Sequence, residues 1–435
     1  MTDTADVTVI GAGVIGAAIA FELAKRGYST LTVDSLWGPS AGPTANSCAI
    51  VRSHYSTRQG VAMAHEGFAY WAGWDDYLGV RDEAGSAVYH RCGTVAFKNR
   101  SGHHLKYLPL YRELGVEFEE WDAAELRARL PGVDVREFWP PRRPDDPEFW
   151  HEPEGDLEGA VFTPGSGYVN DPALAGHNLV AAAEAHGARF RFRQTVTAIL
   201  RRDGRVAGVE LATGEQIESP VVVNVAGPHS AVVNRMAGVE ETMKRRTRPL
   251  RHEVHHVPAP EGWAARAGGL HISDGDTGIY FRPDVGGTFL VGSEDPACDP
   301  HQWVDDPDQF ERTVTREQWE AQVYRLARRV RDLPIPHTTR GFADLYDCSD
   351  DWIPIYDRSD LPGFYMAVGT SGNQFKNAPV AGRCMAELIE ACENGHDHDG
   401  TPVQVRAEHT GHQLDLGMYS RLREVDPSSS FSVMG

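Results

Sequence analysis

Residues 6–34 constrain the fold most. A β-branched run, Asp6 to Ile10 (DVTVI), leads directly into Gly11-Ala12-Gly13-Val14-Ile15-Gly16, then into the Ala- and Leu-rich AAIAFELAKR closed by Gly27. Ser29 to Val33 (STLTV) follows, with Asp34 at its end. Strand, glycine turn, helix, strand and acid in that order predict a nucleotide-binding βαβ unit. Gly11 permits the tight turn, Gly13 lets backbone N–H groups approach a pyrophosphate, and Gly16 lets the helix sit close on the strand; Val14 and Ile15 open that helix, whose N-terminus favours an anion. Asp34 is suited to accept hydrogen bonds from ribose hydroxyls and to repel a 2′-phosphate.

A second glycine turn lies more than 350 residues further on. Leu361 to Val368 (LPGFYMAV) reads as a buried strand, followed by Gly369-Thr370-Ser371-Gly372-Asn373-Gln374-Phe375-Lys376 and a helix over Ala378 to Ala391. A nicotinamide dinucleotide needs only the first turn, so two such turns predict that both ends of the chain meet on one long cofactor, with a second domain inserted between them. Ser219 to Gly227 (SPVVVNVAG) is nearly all apolar, the pattern of a parallel strand buried on both faces. Residues 245–295 alternate apolar and polar, which predicts an antiparallel sheet with one ligand-facing or solvated side.

The remaining elements are read more coarsely. Residues 37–50 form a loop, Tyr111 to Leu130 a strand and a helix, Ala173 to His186 a helix, Arg189 to Leu200 and Arg205 to Ala212 strands, and Thr315 to Leu333 a helix ended by Pro334 and Pro336. Phe138 to Gly155 holds five prolines and is irregular, and it reads as a surface insertion in preference to an active-site lid. The expected fold is α/β. A doubly wound, Rossmann-like domain from residues 1–85, 155–228 and 337–395 interleaves with a mixed or antiparallel sheet domain from 86–154 and 229–336, and 396–435 is a polar C-terminal extension.

Composition excludes other classes. With 42 basic and 62 acidic residues the net charge is −20, which repels nucleic acid and anionic membranes. The first apolar run lacks the basic lead and cleavage site of a signal peptide, no run reaches spanning length, and the six cysteines show no C-x-x-C; these point to reduced thiols and a cytoplasmic protein. His396, His398, His409 and His412 lack a metal-binding spacing and read as a solvated tail, and no metal site is expected. Only five of the 42 basic residues are lysines, so Lys376 inside the second turn stands out.

DVTVIGAGVIGAAIAFELAKRG, NSCAIVRSHYS, GYVNDPALAGHNL, VVNVAGPHS and GFYMAVGTSGNQFKNAPVAGRCMAELI together resemble the FAD-dependent amino acid and amine oxidoreductases: glycine oxidase, D-amino acid oxidase and, above all, the sarcosine oxidases. The resemblance runs from about residue 5 to 392. It implies FAD with its pyrophosphate on Gly11, Gly13, Val14, Ile15 and Gly16 and its adenosine ribose on Asp34. Ala45, Asn46, Ser47, Cys48, Ala49 and Ile50 would follow the flavin ring and its linker, the Val196 backbone would meet the adenine, and Ala226 and Gly227 the middle of the cofactor. Gly369, Gly372, Asn373, Gln374, Phe375 and Lys376 would lie against the pyrimidine edge of the flavin, with Asn373-Gln374 where the family often has His-Gly.

Arg52 matches the family's carboxylate clamp and Lys376 the lysine of its second turn, so these two are the implied substrate-holding residues, with Tyr280 an active-site neighbour. The implied reaction is oxidation of a carboxylate-bearing secondary amine, such as an N-methyl amino acid, by hydride transfer to flavin N5. The resulting imine hydrolyses, and oxygen, giving hydrogen peroxide, or another acceptor takes the electrons. The rivals are a primary, D-amino acid or tailoring amino acid oxidase, and the FAD-carrying subunit of a hetero-oligomeric dehydrogenase. Two departures modify the carry-over. Asp344 precedes Leu345-Tyr346 where monomeric sarcosine oxidases attach flavin through cysteine, which implies non-covalent FAD. Leu290 stands where those oxidases place the lysine that activates oxygen.

Overall fold

The computed structural model describes residues 3–263 and 269–435. Its centre is a six-stranded sheet in the order Arg189–Arg191, Thr30–Val33, Val7–Ile10, Val221–Asn224, Phe364–Val368, Ile355–Arg358, all parallel except the last. Val223 pairs with Val9 on one side and Tyr365 on the other, so the apolar strand joins the two ends of the chain. These strands are apolar on both faces because both faces are covered. The Val14–Lys25, Pro172–Ala185 and Ala378–Glu393 helices pack on one; a four-stranded sheet containing Val206, Val209 and Ile217 packs on the other. The first and last helices approach so closely that a Cβ on Gly382 would lie 2.7 Å from the Ala18 carbonyl oxygen.

A nine-stranded mixed sheet forms the second layer, and its alternation explains its two faces. Phe97, Ile272, Ile279, Phe281, Phe289 and Val291 point to one side and pack on Trp319, Val323 and Leu326 of the Arg316–Arg329 helix. On the other side Ser273, Tyr280, Gly292 and Val254 are successive cross-strand partners, as are Arg282, Leu290 and His256. This second face turns toward the 45–50 segment: Cys48, Tyr280, Leu290 and Val254 form one small cluster. The predicted antiparallel sheet is therefore present, buried on both faces, with Tyr280 on the inner face, opposite the outer helix.

Four readings are corrected. Arg189 to Leu200 is not one strand; Arg193 has φ +58°, and the chain leaves the six-stranded sheet at Arg191 to enter the four-stranded one at Val196. Tyr111 lies in a helix, His103–Leu114, before the Glu119–Asp122 strand, because Tyr107, Leu108, Tyr111 and Leu114 make a buried stripe despite Pro109. The proline-rich insertion carries a short 3₁₀ turn, Pro147–Trp150, and is bound to the outer helix. Phe138 N–H donates to Asp276 (2.7 Å) and Arg325 to the Arg142 carbonyl (2.9 Å), on the side away from the inner face. Finally, residues 396–435 are not a solvated tail. Leu414, Leu416, Tyr419 and Val433 are buried, and Arg421 and Arg423 pair with the buried Asp357 and Asp351.

Candidate active site

Both glycine turns have the backbone that their sequences demand. Gly11 has φ +110°, and a Cβ there would lie 2.3 Å from the Val225 carbonyl oxygen; on Gly16 it would lie 2.0 Å from the Gly11 carbonyl oxygen. No side chain fits either place. Asp34 accepts from Ala12 N–H (2.7 Å) and Leu36 N–H (2.8 Å), so each carboxylate oxygen holds one backbone donor and keeps a lone pair for another. Gln194 N–H donates to the Asp34 carbonyl, which brings the chain before Val196 beside the acid. Ala226 and Gly227 follow the carbonyl that crowds Gly11.

The 40–50 segment links this turn to the inner face of the large sheet. Ser40 N–H donates to the Ala12 carbonyl and Val14 N–H to Thr44 Oγ1 (3.2 Å) at one end. At the other, Arg282 Nε donates to the Cys48 carbonyl (2.8 Å), Cys48 Sγ lies 3.6 Å from Tyr280 Oη, and Asn46 donates to Asp344 (2.6 Å). Ser47 Oγ accepts from Ala49 N–H, Ala49 takes φ +49°, and Ile50 pairs with Tyr168. The second turn closes the same space. Gly369 N–H donates to the buried Asp347 (2.6 Å), and a Cβ on Gly372 would strike the Tyr346 ring at 2.4 Å. Asn373 and Gln374 bond each other, Gln374 also accepts from Tyr356, and Phe375 stacks on Trp71 at 5.2 Å.

Arg52 and Lys376 meet across Tyr55. Arg52 is 6% exposed with its guanidinium 5.0 Å from the Tyr55 ring centre; Lys376 is 4% exposed with its ammonium 5.1 Å from the same ring and 3.0 Å from the hydroxyl. Lys376 also donates to the Asn373 carbonyl (2.6 Å). Among the described residues neither cation has a carboxylate in ion-pair range. Arg52 instead donates to the carbonyls of His54 (3.2 Å), Met434 (3.0 Å) and Val433 (2.7 Å). A buried charge without a counter-ion is costly. Burial first and Arg52 second push the Lys376 ammonium well below its usual range. Burial first and the Arg52 charge second hold His54 and His271 far below theirs, and burial lifts Glu294, hydrogen-bonded to Ser273 (2.6 Å), to about 8. The uncompensated charge here is therefore positive, and the chemistry it suits is holding an anion.

The candidates thus fall along one line, from the first turn through 40–50 to the second turn, with Arg52, Lys376 and Tyr280 at its far end. Residue reading missed Tyr55, although it lies three positions after Arg52 in the quoted RSHY. It also missed Glu294 and residues 432–435, which no motif marks, and it took Tyr346 only as a marker for the position of Asp344. The His396, His398, His409 and His412 set is dispersed: His409 contacts Glu66 while His398 faces Asp357. Among the described residues no group of three or more His, Cys, Asp or Glu side chains could hold a metal, and no helix is long and apolar enough to cross a membrane.

An FAD group fits these residues. Two glycines keep the first turn clear for a pyrophosphate, an acid with free lone pairs lies one strand away, and a buried cation with a second glycine turn stands at the opposite end. Comparison with known proteins agrees. The chain is 23% identical over 406 residues to glycine oxidase of Geobacillus kaustophilus, covering 91% of this chain and 96% of that one. It is 24% identical over 401 residues to the mitochondrial sarcosine dehydrogenase of Homo sapiens, covering 89% of this chain but only 39% of that longer protein. The crystal structure of L-proline dehydrogenase from P. horikoshii shares the fold, with a TM-score of 0.73, 20% identity and coverage of 89% and 94%. Residues 6–388 match the family described as FAD dependent oxidoreductase (DAO), and the chain belongs to it: it is an FAD-dependent oxidoreductase of the kind whose members act on amines and amino acids.

Proposed function

We propose that this enzyme oxidises a carboxylate-bearing secondary amine, with an N-methyl amino acid as the model substrate. The observation that carries this is Arg52, a guanidinium buried beside a second cation with no carboxylate partner among the described residues. A planar fork suits a carboxylate bidentately and fixes which hydrogen of the bound amine faces the cofactor. Bound FAD would supply the acceptor for a hydride from the carbon next to nitrogen, and water would hydrolyse the imine so formed. Gly11 to Gly16, Asp34, the 45–50 segment, the Val196 backbone, Ala226, Gly227 and the second turn would hold it. Lys376 supplies positive charge at its far end, and Tyr280 with Leu290 roofs the site and excludes water. With Asp344 at the family's attachment position, the cofactor is held without a covalent bond and is released intact on denaturation.

The domain division follows from the same reading: the segments that hold FAD are separated in sequence, and the large sheet between them carries the roof. A second reading, oxidation of a primary α-amino acid, is favoured by the coverage of glycine oxidase over nearly its whole length. The relatives bear the names of both oxidases and dehydrogenases, and Leu290, packed against Val254 and Tyr280, offers no cation to oxygen. We therefore propose slow reaction with oxygen. The test is to mix the holoenzyme without oxygen with N-methyl and primary amino acids, follow the visible flavin band, then admit air. Bleaching by N-methyl amino acids with slow recovery supports the reading. Bleaching by primary amino acids alone selects the second one, and bleaching by neither class rejects both.

A further inference from the structure

Residues 432–435 occupy the place where a carboxylate would meet Arg52. Val433 and Met434 present their carbonyls to the guanidinium, and the Gly435 main-chain oxygen accepts from both Ser56 N–H (3.0 Å) and Ser56 Oγ (2.8 Å). A Cβ on Gly435 would meet the Tyr55 ring at 2.3 Å, so the segment lies directly on the residue between the two cations. Its anchor is Asp295, whose carboxylate accepts Val433 N–H (3.1 Å) and also lies 2.8 Å from His252 Nε2. His252 stacks on Tyr346, the ring that closes over Gly372. Val433 is seated in a small apolar cluster with Leu250, Cys348 and Trp352.

We infer that residues 432–435 are a built-in placeholder for the substrate carboxylate, a strap that solvates Arg52 with neutral carbonyls and is displaced when an anion arrives. This rests on the reading of Arg52 as the clamp. Both hydrogens on Nη1 and one on Nη2 are taken by carbonyls, two of these three from the strap, so a carboxylate that docks across Nη1 and Nη2 must displace the His54 or the Met434 carbonyl from Nη1. The exchange is favourable because bonds to a carboxylate are charge-assisted and the carbonyl bonds they replace are not. It is also bounded. Residues 421, 423 and 429 remain pinned, Arg421 and Arg423 on Asp357 and Asp351 and Ser429 on the Asp351 carbonyl, so the movement is confined to residues 432–435.

The probe is acetate, a carboxylate with no amine to oxidise, added to the FAD-loaded full chain. Hydrogen exchange of the Val433, Met434 and Gly435 amides is measured with and without it, and acetate affinity is read from the flavin band. The expected result is faster exchange in acetate. Val433→Pro, which removes the donor to Asp295, and Ser56→Ala, which removes one hold on Gly435, should each tighten acetate about threefold or more by raising the open fraction. Slower or unchanged exchange while acetate binds, or variants that bind it no better, overturns the placeholder and leaves the clamp standing. Acetate that binds neither the wild type nor the variants removes the clamp itself.

Discussion

Replacing Arg52 tests the clamp most directly. Its guanidinium would give a carboxylate two charge-assisted hydrogen bonds, each contributing about 1.5–3 kcal/mol, or about 3–6 kcal/mol together. The Val433 and Met434 carbonyl bonds surrendered in exchange offset this by about 1 kcal/mol each. The net, about 1–4 kcal/mol, corresponds to a loss of roughly fivefold to a thousandfold in kcat/KM for Arg52→Ala. The assay is single-turnover bleaching of the flavin band without oxygen, using N-methylglycine against its amide. The amide can lose no more than one neutral bond, about 1 kcal/mol or roughly fivefold. Because the Ala variant leaves buried carbonyls of His54, Val433 and Met434 without a donor, bound flavin and thermal melting are measured first. Arg52→Lys, which keeps charge but loses the fork, serves as the second variant. Equal losses for acid and amide in a variant that retains flavin would refute the clamp.

Four further outcomes follow from the same geometry. Gly16→Ala, with its Cβ 2.0 Å from a carbonyl oxygen, should yield a colourless protein, checked by the ratio of visible to ultraviolet absorbance. Gly292→Ala places a Cβ 2.3 Å from Tyr280 Oη and must move that ring, so the flavin band should shift while the far-ultraviolet circular dichroism stays unchanged. Arg329→Met leaves Asp274 and Asp276 buried without their cation and should destabilise the chain by about 3–5 kcal/mol in urea unfolding, the cost of breaking a buried pair. Glu294 titrates near 8 when folded against 4.5 when unfolded, so the folded state holds the extra proton between those values and the wild type loses stability as pH rises through that window. The loss is on the order of 4–5 kcal/mol. Glu294→Gln should therefore melt progressively higher relative to the wild type from pH 5 to 8, and a constant difference across that range would show Glu294 to be ionised throughout.

How much was readable in the residues depended on whether the determinant was local. The first βαβ unit was legible to its last residue because a glycine turn, a helix and an acid are specified by near neighbours, and the second turn was legible for the same reason. The apolar strand Val221–Asn224 declared its burial on both faces through composition alone. The split at Arg193 was hidden, since a run of alternating residues says nothing about which sheet each half joins. The Tyr107–Tyr111 stripe was obscured by Pro109. Residues 396–435 misled because serines, histidines and acids resemble a solvated tail. Their burial depends on distant partners such as Glu66, whose two carboxylate oxygens accept from the backbone of residues 408–410. Arg52 and Lys376 were found by motif, but Tyr55, which lies between them, belongs to a relation across 321 residues that no local pattern encodes.

The strand order of the central sheet also sets a timetable. Val221–Asn224 is flanked by strands ending at Ile10 and beginning at Phe364, and 354 residues separate those two points. At about 5–20 residues per second, the ribosome needs roughly 20–70 s to deliver the second neighbour after the first. For the later part of that interval a four-residue run of Val-Val-Val-Asn has one bare, apolar edge, the kind that recruits strands from other nascent chains. The cofactor cannot protect it, because the second glycine turn, proposed to receive its far end, emerges later still. Yield in a recombinant host should accordingly respond to slower translation and to chaperones that shield strand edges more than to added riboflavin.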